Sequence, residues 1–329
     1  MFWQRIKLLF VLVSFALVLT CGGGDGSSRQ PAGAAATWAE KLAYPKGKRV
    51  LILHADDTGM CSEANAAVKP YLLHDQIQSA SVMMPCPRAA EFVAWYKDHP
   101  QEDVGLHLTL TSEWKTYRWG PVADAQSVPG LVDPAGKMWP EVVDVVQHAG
   151  AAEVEKEIHA QIEKALAGGI HPGHLDTHMG TLYGSAGFAG VYLKTAMEYH
   201  IPAMVIEFTP PVVKRFRQQG YPITDEMVKF VSDYTLPKLD DFYAAPEAST
   251  YAEKKQKFFA LVKSLKPGIT EIIFHPSIES DSLKMITNSW QQRVWEAALF
   301  SDPEVIQFFK DEGVLFTNWK EMMKRFEKK

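Results

Sequence analysis

The stretch Arg49-Val-Leu-Ile-Leu-His-Ala-Asp-Asp-Thr-Gly59 joins a run of apolar residues to two adjacent carboxylates. The apolar part, Val50 to Leu53, is short and bounded by turn-forming residues, which predicts a buried strand. Carboxylates at the end of a buried strand are costly to desolvate unless something compensates their charge. Asp56 and Asp57 therefore indicate either a cation site or a solvated turn, and other residues must decide between the two.

Length and composition are those of an ordinary globular protein. The chain has 329 residues, of which 47% are hydrophobic and 22% are charged, and its formal net charge is −5. A chain of this length can form one large α/β barrel as readily as two domains. The negative net charge gives no support for nucleic-acid binding or for a polybasic membrane patch.

The first 21 residues predict an export signal of the lipoprotein type. Two basic residues precede the apolar run 8–19, which is shorter than the about 20 residues that span a bilayer. Cys21 follows this run and resembles the cysteine that becomes lipidated in bacterial lipoproteins, although Val18-Leu19-Thr20 departs from the usual small residues. We therefore expect an exported protein anchored to the membrane through a lipidated Cys21, facing the periplasm or the cell exterior. An ordinary signal peptide cut nearby is the alternative.

The rest of the chain predicts a tether followed by a single domain. Residues 22–45 are rich in Gly, Ala and Ser and predict a flexible tether, and residues 46–329 predict one barrel domain. Cys61 and Cys86 follow neighbouring predicted strands at the same end. We therefore hypothesise that they form a disulfide, with free thiols as the alternative.

Strand-like and helical patterns alternate from residue 48 onward. The predicted strands are 50–54, 79–84, 104–110, 174–178, 203–208, 271–275 and 314–319. The predicted helices are 63–73, 89–96, 142–167, 187–199, 252–265 and 291–300. This alternation predicts an α/β fold with a parallel sheet, and seven strands favour a distorted or incomplete (β/α) TIM-like barrel. Residues 111–137 and 209–247 lack periodicity and predict long loops over one mouth of the barrel.

Polar residues suited to metal binding fall late in four predicted strands. Asp56 and Asp57 end the first strand, His107 lies in the second half of its strand, and His178 and His275 end theirs. Chemistry in such barrels sits at the carboxyl ends of the strands. Residues scattered at random would not all fall there, so the pattern favours a site over a solvated turn.

One carboxylate and two imidazoles with open positions form a catalytic metal arrangement. Asp57, His107 and His178 are the candidate ligands, although His107 alone would be read as a core histidine. Strand alternation places His174, Asp176 and His178 on one face. A carboxylate between imidazoles can orient a metal-bound histidine through the ring nitrogen that does not bind the metal. The alternative for this strand is a polar face turned toward water.

Four motifs together carry a family resemblance. They are His54-Ala-Asp-Asp57, Gly105-Leu-His-Leu-Thr-Leu110, His174-Leu-Asp-Thr-His178 and Phe274-His-Pro276. In this order they resemble the signatures of the YdjC-like carbohydrate deacetylases, which include chitooligosaccharide deacetylases. Each motif is weak alone, but four in order over about residues 49–322 are specific.

The resemblance implies a distorted barrel, a divalent metal ion and removal of acetyl groups from N-acetylated saccharides. By position, Asp57, His107 and His178 match the family's metal ligands, Asp56 its general base and His275 a second catalytic group. We expect one divalent ion, zinc or magnesium above all, with manganese, cobalt and nickel also compatible.

The same roles follow from general chemistry. A carboxylate beside a metal ligand can take a proton from water, which suits Asp56. His275 can protonate the leaving amine or steady the oxyanion, and a cap on its strand end is the alternative. Two departures from the family pattern, Thr58 and Met179-Gly180, leave the identity of the sugar open.

The loop after the third predicted strand offers candidate sugar-binding residues. Trp114 and Trp119 would present flat faces to sugar rings at the barrel mouth, and Arg118 would donate to hydroxyls. A loop that packs its own aromatic side chains is the alternative.

Two other functions stay open: a glycan-binding lipoprotein on a deacetylase-like scaffold, and a metal-dependent phosphoesterase. The first need not keep the intact set of Asp and His residues, and the second would require a more basic mouth or a second metal cluster.

Overall fold

A curled parallel β-sheet lies at the centre of the computed structural model, which describes residues 36–328. Its strands are β1 Arg49–Thr58, β2 Ser79–Val82, β3 Val104–Leu108, β4 Leu175–Thr177, β5 Asp241–Ala244, β6 Gly268–Phe274 and β7 Leu315–Phe316. Hydrogen bonding follows the order β4-β3-β2-β1-β6-β5, and β7 pairs with the first half of β1. Because all these pairings are parallel, the carboxyl ends of the strands meet at one mouth.

Helices cover the outside of the sheet. In the described part of the chain they are α1 Trp38–Lys41, α2 Ser62–Leu73, α3 Ala89–Asp98, α4 Val142–His148, α5 Ala151–Gly168, α6 Ala186–Glu198, α7 Pro210–Gln218, α8 Asp225–Asp233, α9 Tyr251–Ser264, α10 Asp281–Ile286, α11 Trp290–Ser301, α12 Pro303–Glu312 and α13 Trp319–Glu327. Apolar side chains of the strands and of the inner helix faces form one continuous core between the two layers.

An irregular segment links the two outer strands, β4 and β5. Leu175 in β4 makes a parallel bridge to Ala203, and Ile206 makes another to Leu239, just before β5. The segment changes its neighbour between these two bridges, so it forms no continuous strand pairing with either neighbour. The strand predicted at 203–208 is therefore reduced to isolated bridges. The predicted distorted or incomplete barrel is confirmed.

The predicted loop at 209–247 is wrong in part, because it contains α7, α8 and β5. Pro210 opens α7 at a position where its missing N–H costs nothing, and Thr224 caps α8 through its hydroxyl. The helix predicted at 142–167 is two helices, α4 and α5. Gly150 is the N-cap of the second, and its N–H donates to Glu153 Oε2 at 2.8 Å.

A helix lies before the predicted domain boundary at residue 46. Helix α1 packs under the barrel, where Trp38 and Leu42 join a buried cluster with Trp319. The Asp240 carboxylate accepts from the backbone N–H of Trp38 at 2.7 Å and of Ala39 at 3.1 Å. The predicted signal and most of the predicted tether lie outside the described residues. Among residues 36–328, no helix has the length and apolar character needed to cross a membrane.

The disulfide hypothesis is wrong. Cys61 and Cys86 are both buried and both free. They belong to one apolar cluster that also contains Met60, Met83 and Leu283. The Cys86 thiol contacts Met83 Sδ at 3.8 Å, so it packs against a methionine instead of bonding to its neighbouring cysteine.

Candidate metal centre

A β-bulge near the end of β1 turns two carboxylates into the barrel mouth. The pairing of β1 with β2 gains one extra residue between Ala55 and Thr58, which places the bulge at Asp56-Asp57. Asp57 has a φ of 62°, a left-handed conformation that is uncommon outside glycine and is found at functional sites. Both carboxylates line a cavity at the mouth while being almost completely buried.

Three potential ligand atoms converge beside this bulge. Asp57 Oδ1 lies 3.5 Å from His107 Nε2 and 3.4 Å from His178 Nδ1, and the two nitrogens are 3.2 Å apart. All three side chains are buried, and Asp57 Oδ1 has no hydrogen-bond partner among residues 36–328. A buried carboxylate oxygen without a donor and two facing imidazole nitrogens fit a cation held between them. The structure therefore brings together the three residues predicted as ligands.

The far side of each of these side chains is held by a charged partner. His107 Nδ1 pairs with Asp176 Oδ1 at 2.5 Å, so the carboxylate predicted to orient a ligand histidine contacts the one on the neighbouring strand. His178 Nε2 pairs with Glu113 Oε2 at 3.1 Å, and Arg293 Nη2 donates to Asp57 Oδ2 at 2.7 Å. Such partners fix which atom of a ligand faces the metal.

These partners set the protonation of the centre. Burial would raise the pKa of Asp57, but the Arg293 guanidinium and the nearby His178 imidazole hold it well below its usual range. Burial would lower the pKa of His178, but the charge of Glu113 and the contacts with Asp57 raise it to about 10. Without a bound cation, His178 thus carries a proton at neutral pH that a metal ion must displace.

Asp56 lies beside the three converging residues and bridges two other histidines. Its Oδ1 is 3.0 Å from His54 Nε2, and its Oδ2 is 3.7 Å from His275 Nε2. The backbone N–H of His275 donates to Glu296 Oε2 at 2.6 Å, and the imidazole is 35% exposed at the mouth. Although burial lowers the pKa of His275, Glu296 and the charge of Asp57 raise it above its ordinary value.

His174 lies behind Asp176, farther from the candidate ligands than predicted. Its Nε2 is 3.4 Å from Asp176 Oδ2, which in turn lies 3.1 Å from His54 Nε2, so His174 supports Asp176 and touches no candidate ligand. The ring fits because residue 105 is glycine: a Cβ there would lie only 2.3 Å from the His174 ring. The glycine of the Gly105-Leu-His motif thus makes room for this buried network.

Residues 50–311 match the family described as YdjC-like protein. The chain belongs to the YdjC-like family. A carbohydrate deacetylase from Thermus thermophilus is 31% identical over 79% of this chain and 89% of its own length. Another carbohydrate deacetylase, from Geobacillus stearothermophilus, is 27% identical over 84% of this chain and 99% of its own length.

The fold of this YdjC-like protein also has a solved counterpart. A crystal structure from Enterococcus faecalis, of a protein named for cellobiose-phosphate cleavage, superposes with a TM-score of 0.69. The match covers 84% of this chain and 100% of the other at 22% sequence identity, and it supports the barrel architecture.

The residues predicted to bind sugar do not line the cavity of this YdjC-like chain. Trp119 is buried, and the guanidinium of Arg118 pairs with Asp133 at 2.7 Å. Trp114 packs against Trp119, with ring centroids 5.3 Å apart, and covers the guanidinium of Arg293 at 5.9 Å. The prediction is wrong for Arg118 and Trp119, because the loop packs its own aromatic side chains. Trp114 instead shields the centre from one side.

Proposed function

We propose that this YdjC-like protein is a metal-dependent carbohydrate deacetylase that removes acetyl groups from N-acetylated saccharides of the chitooligosaccharide type. One observation carries the proposal: Asp57 Oδ1, His107 Nε2 and His178 Nδ1 converge within 3.5 Å of one another beside Asp56, facing one cavity. The curated relatives named carbohydrate deacetylase support the same reaction class.

The donor set suits one divalent cation. Two imidazole nitrogens and one carboxylate oxygen are typical of catalytic zinc, and magnesium, manganese, cobalt or nickel are compatible when water completes the shell. When bound, such an ion lowers the pKa of water toward neutrality and polarises the acetyl carbonyl. Asp176, Glu113 and Arg293 would hold the three ligands in place.

The remaining polar residues divide the proton transfers between them. Asp56 is held by His54 at 3.0 Å and is positioned to take a proton from the attacking water. His275 keeps a proton more readily than an ordinary histidine, because Glu296 and Asp57 raise its pKa. It is therefore suited to protonate the leaving amine at the exposed edge of the site.

The direct test is acetate release from chitooligosaccharides by the purified protein supplied with each candidate metal. We expect release that a chelator abolishes and that Asp57→Asn loses. Phosphate release from sugar phosphates, without acetate release, would instead identify a phosphoesterase. Saccharide binding with release of neither product would identify a glycan-binding protein.

We further propose that the protein is exported and anchored through a lipidated Cys21. The proposal is supported by the apolar run 8–19 that ends just before this cysteine. Mass spectrometry of the membrane-extracted protein should find a diacylglyceryl group on Cys21, and Cys21→Ser should release the protein from membranes. A freely soluble parent with another mature terminus would refute the anchor.

A further inference from the structure

The cavity above the metal centre has mainly apolar walls. It has a volume of about 430 Å³ and begins at the candidate ligands. Outside the centre, the polar residues in the described lining are Glu141, Thr177, Tyr183, Gln219, Tyr221, Glu247 and Glu271. Apolar side chains supply most of the rest, among them Met204, Ile206, Phe208, Phe216, Ile223 and Phe242.

One wall comes from α7 and the turn that follows it. Phe216 and Ile223 line the cavity, whereas Val213 lines a separate groove that contains none of the candidate ligands. Arg215 fastens this segment to the barrel, with its guanidinium nitrogens 2.5 and 3.0 Å from the two carboxylate oxygens of Asp241. The helix and the turn after it therefore present Phe216 and Ile223 to the cavity from a fixed position.

An apolar wall of this kind does not match a saccharide that offers hydroxyl groups alone. Hydroxyls that leave water need new hydrogen-bond partners, and most of the surface of these walls is apolar. Aromatic walls also suit the apolar faces of sugar rings, but Met204, Ile206 and Ile223 are aliphatic and offer no ring to stack. Contact with an alkyl or aryl group would stabilise the complex by removing apolar surface from water on both sides.

We infer that the substrate is an amphiphilic N-acylated saccharide, which places an alkyl or aryl substituent against this wall. The inference rests on the proposed deacetylase function and narrows its substrate class. The substituent has two chemical sources: an N-acyl chain longer than acetyl, or an apolar group attached through the glycosidic oxygen. In both cases water cleaves the same amide bond, releasing a carboxylate and the free amine of the sugar.

Two substrate series distinguish these sources. The first extends the acyl chain of N-acylglucosamine from acetyl to hexanoyl, and the second extends the alkyl group of N-acetylglucosaminides from methyl to octyl. In one of the series we expect kcat/KM to rise about threefold to fourfold per added methylene until the cavity is filled. A flat or falling kcat/KM in both series, with acetate still released from the shortest members, would overturn the inference and leave the deacetylase function standing. If no substrate in either series is cleaved while chitooligosaccharides still release acetate, the inference alone fails. If chitooligosaccharides release no acetate either, the proposed function fails and the inference fails with it.

A pair of variants on one helix locates the contact. Phe216→Ser should lower the ratio of kcat/KM between long and short substrates about tenfold or more, whereas Val213→Ser should leave both rates unchanged. No side chain of α7 is completely buried, so the fold is expected to tolerate either change. Ile223→Thr provides a second change in the cavity wall. An unchanged ratio in both Phe216→Ser and Ile223→Thr would refute the assignment of this wall.

Discussion

Arg293 Nη2 donates a hydrogen bond of 2.7 Å to Asp57 Oδ2, joining α11 to the end of β1 across 236 positions of sequence. This bond occupies one carboxylate oxygen and leaves Oδ1 directed at His107 and His178. Arg293 therefore selects the oxygen that faces the metal position, and it keeps the pKa of Asp57 low, so that the carboxylate stays charged.

Removal of this guanidinium should weaken metal binding. We expect Arg293→Met to lower metal affinity about 10-fold to 100-fold, because the ligand loses its orienting partner. Acetate release at limiting metal should fall in parallel. Titration calorimetry on the metal-free protein measures the affinity, and circular dichroism checks that the variant is folded. Arg217→Met, which breaks a pair with the exposed Asp225, is the matched control and should bind metal as the parent does. Equal affinity in Arg293→Met and the parent would contradict the role given to Arg293.

The contact between Glu113 and His178 predicts how metal binding depends on pH. The pKa of His178 is raised to about 10 in the metal-free protein, with Glu113 the largest contribution in that direction. Below that pH the metal must displace a proton, so affinity should increase as pH rises through the neutral range. Glu113→Gln removes the negative charge, lowers the pKa of His178 and should make this increase shallower.

Calorimetry in buffers of different ionisation enthalpy counts the protons released by binding. Between pH 6 and 8, the parent should release more protons per metal ion than Glu113→Gln. Glu247→Gln changes another carboxylate in the cavity lining and should release as many as the parent. The same proton count for Glu113→Gln and the parent would contradict the predicted charge coupling.

The two buried cysteines should be unreactive in the native protein. Burial raises the pKa of Cys61 to about 12 and that of Cys86 well above its ordinary value, so little thiolate exists at pH 8. In a Cys21→Ser chain kept free of reductant, a thiol reagent should find no reactive group before unfolding and two after denaturation. Two groups that stay unreactive in denaturant would indicate a disulfide.

The candidate ligands could be predicted because of how parallel strands are arranged. Asp57 and His107 fall late in their strands and His178 directly follows β4, and parallel strands bring those ends to one mouth. Glu113 could not be found in this way, because it follows β3 in an irregular loop without periodicity. The role of Arg293 could not be predicted either, because its contact with Asp57 depends on how α11 packs.

The errors have equally local causes. The aromatic content of the loop after β3 does not reveal which way its rings face, and Arg118 is used inside the loop to bind Asp133. Strand β5 was missed because its four residues, Asp241–Ala244, are all half-buried and show no alternation. The turn between α4 and α5 is marked by Gly150, but the apolar spacing on both sides resembles one continuous helix.

The two adjacent carboxylates, Asp56 and Asp57, have different environments, so replacing each with asparagine should have different effects. Asp57 Oδ1 points at the imidazole nitrogens of His107 and His178, whereas Asp56 is held by His54 and faces His275. Asp57→Asn exchanges an anionic ligand for a weak neutral one, so metal content and activity should fall together, and excess metal should restore part of the turnover. Asp56→Asn should keep its metal and lose proton transfer, which commonly contributes about 10²-fold to 10⁴-fold in rate.

Elemental analysis beside acetate release, for both variants and the parent, separates the two roles. Added metal should not rescue Asp56→Asn, because the missing group acts on a proton and not on the ion. If Asp56→Asn lost the metal while Asp57→Asn kept it, the two assignments would have to be exchanged. If both variants kept metal and activity, the catalytic centre would have to lie away from the bulge at the end of β1.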